Sequence, residues 1–173
     1  MATPRVPPAG FEQPFEVLDA FHERIQRMLR RLQWLRLHLA TMGCDDQARQ
    51  AASDVMSCFD LAAPTHHEDE ECHVFLPLLA AGLCVDTVVR LQREHLEMAA
   101  LWPQVRDVLQ RVDADPWPGF APADEGVLEH FVRLYDWHLA AESELVYPAA
   151  ARYLDAAALV AMGAEMARRH GLL

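Results

Sequence analysis

At 173 residues, 52% of them apolar, the chain is long enough to form one domain around its own core. A formal net charge of -11 at pH 7 and an isoelectric point near 5.1 argue against nucleic acid or an anionic membrane surface as partner. No apolar run approaches the ~20 residues of a membrane span, which argues against insertion into a membrane.

Residues 1–14 are proline-rich and lack an apolar signal core, so they read as a mobile leader to a cytoplasmic domain of residues 15–173. The first helix is expected from Phe15 to Met42, where Leu18, Phe21, Ile25, Met28, Leu32 and Leu39 recur near period 3.6, and Gly43 ends it. A second runs from about Asp46 to Ala81, with a kink or fresh start at Pro64 and a stop at Gly82. Asp86 is the expected N-cap of the third, which reaches about Val112 and bends near Pro103. A proline-rich loop, 113–122, leads to a fourth helix from Ala123 to about Tyr153, and Asp155 caps a short fifth ending near His170. The fold class is all-α: an up-down-up-down antiparallel four-helix bundle with a short C-terminal fifth helix. Cysteines at 44, 58, 72 and 84 form no Cys-x-x-Cys pair, which speaks against a zinc knuckle and for free thiols in a reducing compartment. Cys58 and Cys72 are expected as small buried residues, and Trp34, Trp102 and Trp137 as bundle packing.

The chemistry concentrates in two stretches. His67, Glu71 and Pro77 on the second helix have the same spacing as His138, Glu142 and Pro148 on the fourth. A His and a Glu four apart share one helix face, so imidazole nitrogen and carboxylate oxygen converge on one point. His22 and His95 precede the two copies at similar distances. Counted from the turns of an antiparallel bundle, the four histidines fall on one level to within ~3 Å. The expected metal ligands are therefore His22, His67, Glu71, His95, His138 and Glu142, with Glu71 the only inward member of the acidic run Glu68–Glu71. Oxygen and imidazole donors without sulfur suit iron and would also accept Zn or Mn. His38, His130 and His170 are expected at the surface or behind the ligands. Tyr147 is read as core filling, with a hydrogen bond near the site as the other option.

These residues, over about positions 15 to 154, resemble the hemerythrin-like family of HHE cation-binding domains. The resemblance implies two iron ions in a non-haem di-iron site, with the two carboxylates bridging and histidines capping each iron. It implies a protein that binds or senses a small diatomic or anionic ligand (O2, NO or peroxide) or holds iron. The other class is a di-iron oxidoreductase acting on peroxide or O2, or in iron–sulfur repair. Ferritin-like oxidoreductases use paired Glu-x-x-His motifs; here only Glu70 and His73 have that spacing, and the leader carries no cysteine, so a binding protein rather than an enzyme is expected. The chain departs from the oxygen-carrying branch at Leu91, where that branch has a second histidine on the third helix. Glu68, His66, His73 or water would have to complete the shell. Glu68 and His66 lie ~100° round the helix from His67, a displacement that a bend at Pro64 would have to supply.

Overall fold

The computed structural model describes residues 10–112, 114 and 116–172. Helix α1 spans Pro14–Thr41; proline at its first position costs nothing because that N–H has no helical partner. Gly43, at φ 82°, takes the left-handed conformation that leads the chain out of it. Helix α2 begins as Asp46–Ser57, capped by the Asp45 carboxylate, which accepts from the Ala48 N–H at 2.9 Å. It continues through Ala63–Glu70 to Leu76–Ala80. Helix α3 is Val85–Arg111, entered from Cys84 in a left-handed conformation (φ 51°). Asp86, expected as the cap, lies one residue inside, where its charge still meets the positive end of the helix dipole. Helix α4 comprises Asp124–Ala141 and Tyr147–Tyr153, and α5 is Ala156–Arg169, capped by Asp155 as expected.

Proline explains why α2 and α4 come in segments. Three π turns join them: Cys58–Ala62, Glu71–Phe75 and Glu142–Val146. Each is followed by one residue and then a proline: Ala63-Pro64, Leu76-Pro77 and Tyr147-Pro148. The N–H of Ala63, Leu76 or Tyr147 reaches back five residues to the carbonyl of Cys58, Glu71 or Glu142. A proline cannot donate to the carbonyl four residues earlier and its ring would collide with it, so one widened turn accommodates it without breaking the helix. Pro103 sits inside α3 with no such turn, so proline is not sufficient by itself. Each π turn carries one extra residue and rotates everything beyond it by about 100°.

Helix α1 packs on α2, α3 on α4, α2 on α3 and α1 on α4, which closes the four-helix ring; α5 lies against α1. Ile25, Leu32, Val55, Met98, Phe131 and Tyr135 belong to the larger apolar cluster. Leu18, Phe75, Leu78, Val88, Leu91 and Met166 belong to a smaller one. Leu91 is thus fully buried among apolar neighbours. The buried groups His22, His66, Glu70, His95, His138 and Glu142 lie where the two clusters meet. The tail is fastened to α2 there: buried Asp69 accepts from Arg169 and sits 2.8 Å from His170 Nε2.

Several packing expectations fail. Trp137 is 70% exposed and Trp34 also reaches solvent, leaving Trp102 as the one of the three against the core. Their positions lie on the outer faces of α1 and α4. Cys58 is buried but Cys72 is exposed, because the rotation of α2 turns it outward; no two of the four cysteines are bonded. Residues 1–9 of the expected leader lie outside the described residues, while Phe11 from its remainder packs in the smaller apolar cluster.

Candidate metal centre

Rotation of α2 decides which of its acidic and imidazole groups point inward. His66, Asp69 and Glu70 are buried, whereas Glu71 is partly exposed and Glu68 lies outward beside Arg169 at 3.2 Å. Glu71 was expected to be the only inward member of this run; the inward carboxylate at the cluster is Glu70, one residue earlier. The π turn at Cys58–Ala62 supplies the offset that otherwise keeps His66 off the site. On α4 the π turn starts at Glu142 itself, and His138 and Glu142 are both buried as expected.

Three overlapping groups of donor atoms result, each with all its atoms within 4.8 Å of one another: His22, His66, Glu70 and Glu142; Glu70, His95, His138 and Glu142; and His67, His95 and His138. Of the six positions expected from sequence, His22, His95, His138 and Glu142 enter the first two groups. His67 enters the third, its ring stacked on His95 with centroids 4.0 Å apart. Glu71 enters none. His73 points away, 3.7 Å from Glu165. His130 pairs with Glu97 and His38 with Asp45, both clear of the site.

The two buried carboxylates span both groups. Glu70 Oε1 is 3.6 Å from His22 Nε2 and 3.4 Å from His66 Nε2, while its Oε2 is 3.5 Å from His95 Nε2. Glu142 Oε2 is 3.2 Å from His22 Nε2, and its Oε1 is 2.9 Å from His138 Nε2 and 3.7 Å from His95 Nε2. Each carboxylate therefore presents one oxygen to each histidine pair. Both Glu142 oxygens, Glu70 Oε2, both His66 nitrogens and His67 Nε2 are buried without a hydrogen-bond partner. Leaving such atoms unpaired costs about 1–3 kcal/mol each, so they point to something that is meant to sit among them.

Neighbours behind the histidines fix their orientation. His95 Nδ1 donates to Glu71 Oε1 at 2.9 Å, and Gln92 holds the other Glu71 oxygen at 2.7 Å. His138 Nδ1 donates to Glu94 Oε2 at 2.9 Å. A carboxylate only accepts, so in the neutral ring the hydrogen is on Nδ1 and the Nε2 lone pair faces the cluster, the arrangement metal-binding histidines use. His22 Nδ1 meets Ser143 Oγ at 3.1 Å. The buried carboxylates favour the charged form of the rings nearest to them. Burial works against charging His95, but Glu142, Glu70 and Glu71 outweigh it and raise its pKa to about 11. His22 rises to about 9, burial again being overcome by Glu142 and Glu70. Burial dominates at His66 and His67, which are held below the usual histidine range.

An internal repeat emerges that differs from the one aligned on the prolines. His66-x3-Glu70-x4-Phe75 matches His138-x3-Glu142-x4-Tyr147. Phe75 stacks on His95 (centroids 5.4 Å, 19°) and Tyr147 on His22 (5.0 Å, 22°). Glu71, next after Glu70, holds His95; Ser143, next after Glu142, faces His22. Tyr147 is more than core filling: its hydroxyl donates to Glu70 Oε1 at 2.5 Å and lies 2.8 Å from His22 Nε2. The sequence offers His66 only as one of three candidate residues to complete the shell, and gives no sign of Glu70, Glu94 or Ser143 at the site; aligning the two copies on their aromatics instead of their prolines finds His66 and Glu70.

The two sides differ in access. Phe21 stacks on His66 and His170 packs on Phe21, so the tail covers the His22 and His66 side. A cavity of about 380 Å³ reaches His67 and His95 on the other, lined by Phe59, Leu96, Met98, Trp102 and Tyr135 among others. No helix among the described residues is long and apolar enough to cross a membrane.

Comparison with known proteins places these features in a family. Residues 13–150 match the hemerythrin HHE cation binding domain. An uncharacterized protein of Haemophilus influenzae is 28% identical over 162 residues, which cover 93% of this chain and 92% of that one.

Proposed function

Since this chain belongs to the hemerythrin HHE cation-binding domain family, we propose that its buried cluster holds two iron ions as a non-haem di-iron centre, with Zn or Mn as possible substitutes. The centre binds a small molecule such as O2, NO or peroxide, or an anion in its place. The observation that carries this reading is the pair of buried carboxylates with one oxygen directed to each histidine pair. His22 and His66 would hold one metal and His95 and His138 the other, with Glu70 and Glu142 available to both and His67 near the second. Histidine nitrogens and carboxylate oxygens without sulfur are a fitting donor set for iron, and the unpaired buried atoms match the need for positive charge there.

When bound, such a metal pair supplies Lewis-acid attraction for a small ligand together with one-electron redox capacity. The chain's own residues do the rest. Glu71 and Glu94 hold the rings of His95 and His138 with Nε2 inward. Phe59, Met98 and Tyr135 line an apolar approach to His67 and His95, which favours small uncharged guests over bulk water. We read the protein as one that binds its guest rather than turning it over, in the cytoplasm.

Protein produced with iron is expected to carry close to two iron ions per chain by elemental analysis. Its reduced form should change its visible spectrum on exposure to O2 or NO, and its oxidised form on exposure to azide. Two irons with no response to any of the three would contradict small-ligand binding; no metal in protein never exposed to chelator would contradict the centre itself.

A further inference from the structure

Resting on the di-iron reading above, we propose that the phenol oxygen of Tyr147 is itself a ligand to the metal held by His22, His66, Glu70 and Glu142. Adjacent donors around a six-coordinate ion with bonds of about 2.1 Å stand about 3 Å apart. Tyr147 Oη comes close to that spacing at 2.8 Å from His22 Nε2, and it lies nearer still to Glu70 Oε1, at 2.5 Å. His22 Nε2 in turn lies 3.2 Å from Glu142 Oε2 and 3.6 Å from Glu70 Oε1, so the hydroxyl joins a group of donors already gathered close to one another.

Its approach is fixed by the fold. The π turn Glu142–Val146 ends at Tyr147, whose N–H closes it on the Glu142 carbonyl, so the bridging carboxylate and the phenol are fastened to one another through the backbone. The ring lies against His22 at 22° and is also in contact with Phe15, leaving the hydroxyl no solvent to turn to. Four donors from His22, His66, Glu70 and Glu142 leave an octahedral ion short, and Phe21, itself packed on His170, lies over His66 on that side. Phe75, the counterpart of Tyr147 in the repeat, stacks on His95 in the same way but has no oxygen to offer. The two aromatic positions therefore differ by one donor atom, the oxygen that Tyr147 has and Phe75 lacks. When ferric iron binds, the phenol O–H bond is exchanged for an O–Fe bond and the proton leaves to solvent, with no change in oxidation state.

Ferric iron loaded into the full chain gives the test. A phenolate ligand produces a visible charge-transfer band, and resonance Raman excited in that band should show ring modes that shift when the tyrosines are ring-deuterated. Tyr147→Phe should retain iron and lose the band, while Tyr135→Phe should keep both. Wild-type protein with two irons and no tyrosine modes would overturn the proposal, as would a band that survives in Tyr147→Phe. Should that variant fail to fold, the isotope shift in wild type combined with persistence of the band in Tyr135→Phe and Tyr153→Phe still assigns it, and its loss in either overturns the assignment. Absence of iron altogether is read from the metal count, and it brings down the di-iron reading and this one together.

Discussion

On the side of His22 and His66, Tyr147 lies flat against an imidazole and sets a hydroxyl among the donor atoms, while Phe21 and the tail helix cover what remains. On the side of His95 and His138, Phe75 lies flat against the equivalent imidazole with only carbon to offer, and an apolar cavity opens beside it. The backing groups differ as well: Ser143, neutral, stands behind His22, and Glu71, charged, behind His95. Similar π turns at the two helices therefore set an oxygen among the donor atoms on one side and leave an apolar opening on the other. Between the two aromatics the difference is a single oxygen atom, present on Tyr147 and absent from Phe75.

The largest effect should come from a residue that both sides share. Glu142→Ala removes an oxygen from each group and should take the metal content from about two per chain to near zero, read by elemental analysis. Two metals retained in that variant would mean the sides do not depend on a common carboxylate. Next, His66→Ala should lose the covered metal, whereas His67→Ala should keep both and disturb only ligand binding at the open side. The opposite result would restore the register expected from the proline spacing.

Metal removal comes third. A ligand present at 100 times its dissociation constant stabilises by about 2.7 kcal/mol, or roughly 5–10 °C in melting temperature for a chain of this size. The gap should depend on pH. In metal-free protein the raised pKa values of His22 (about 9) and His95 (about 11) add stability that is complete below 6.5 and is lost as pH rises through those values. Metal needs the same rings unprotonated, so its hold tightens over that range. His66 and His67, which resist charging, add their dependence only below 6.5. The difference between loaded and metal-free melting temperatures should thus widen from pH 6.5 to 9; a difference that narrows would contradict the assignment of His22 and His95. A smaller effect is expected from Phe75→Tyr, which makes the open side resemble the covered one and should weaken azide binding to the oxidised protein in a spectral titration. Smallest is Glu71→Gln, which keeps a hydrogen-bond acceptor for His95 but removes its charge, and should lower metal affinity about tenfold. Complete loss of metal in Glu71→Gln would instead make Glu71 a ligand.

Much of this comparison was legible in the sequence, and its limits have a physical cause. Periodicity and caps such as Asp155 locate the helices because burial and helix-end chemistry are local. His138 and Glu142 are legible for the same reason: no π turn within α4 lies ahead of them. On α2 the chain offers His66 beside His67 and Glu70 beside Glu71, and the choice between neighbours depends on a π turn upstream at Cys58–Ala62. Pro64 marks that turn, yet Pro103 sits in an unwidened helix, so proline does not decide the register without the packing around it. Phe75 and Tyr147 carry the missing information, since each must face inward to stack on a histidine. The Glu94 contact to His138 joins residues 44 apart in the chain, and no local pattern announces it.

The most direct test of the shared centre is a crystal of iron-loaded protein measured at the iron absorption edge. The account predicts two anomalous peaks per chain about 3.5–4 Å apart, one between His22 and His66 and one between His95 and His138, with the Glu70 and Glu142 carboxylates lying across both. A single peak, or peaks at Glu71 with Glu70 turned away, would contradict it.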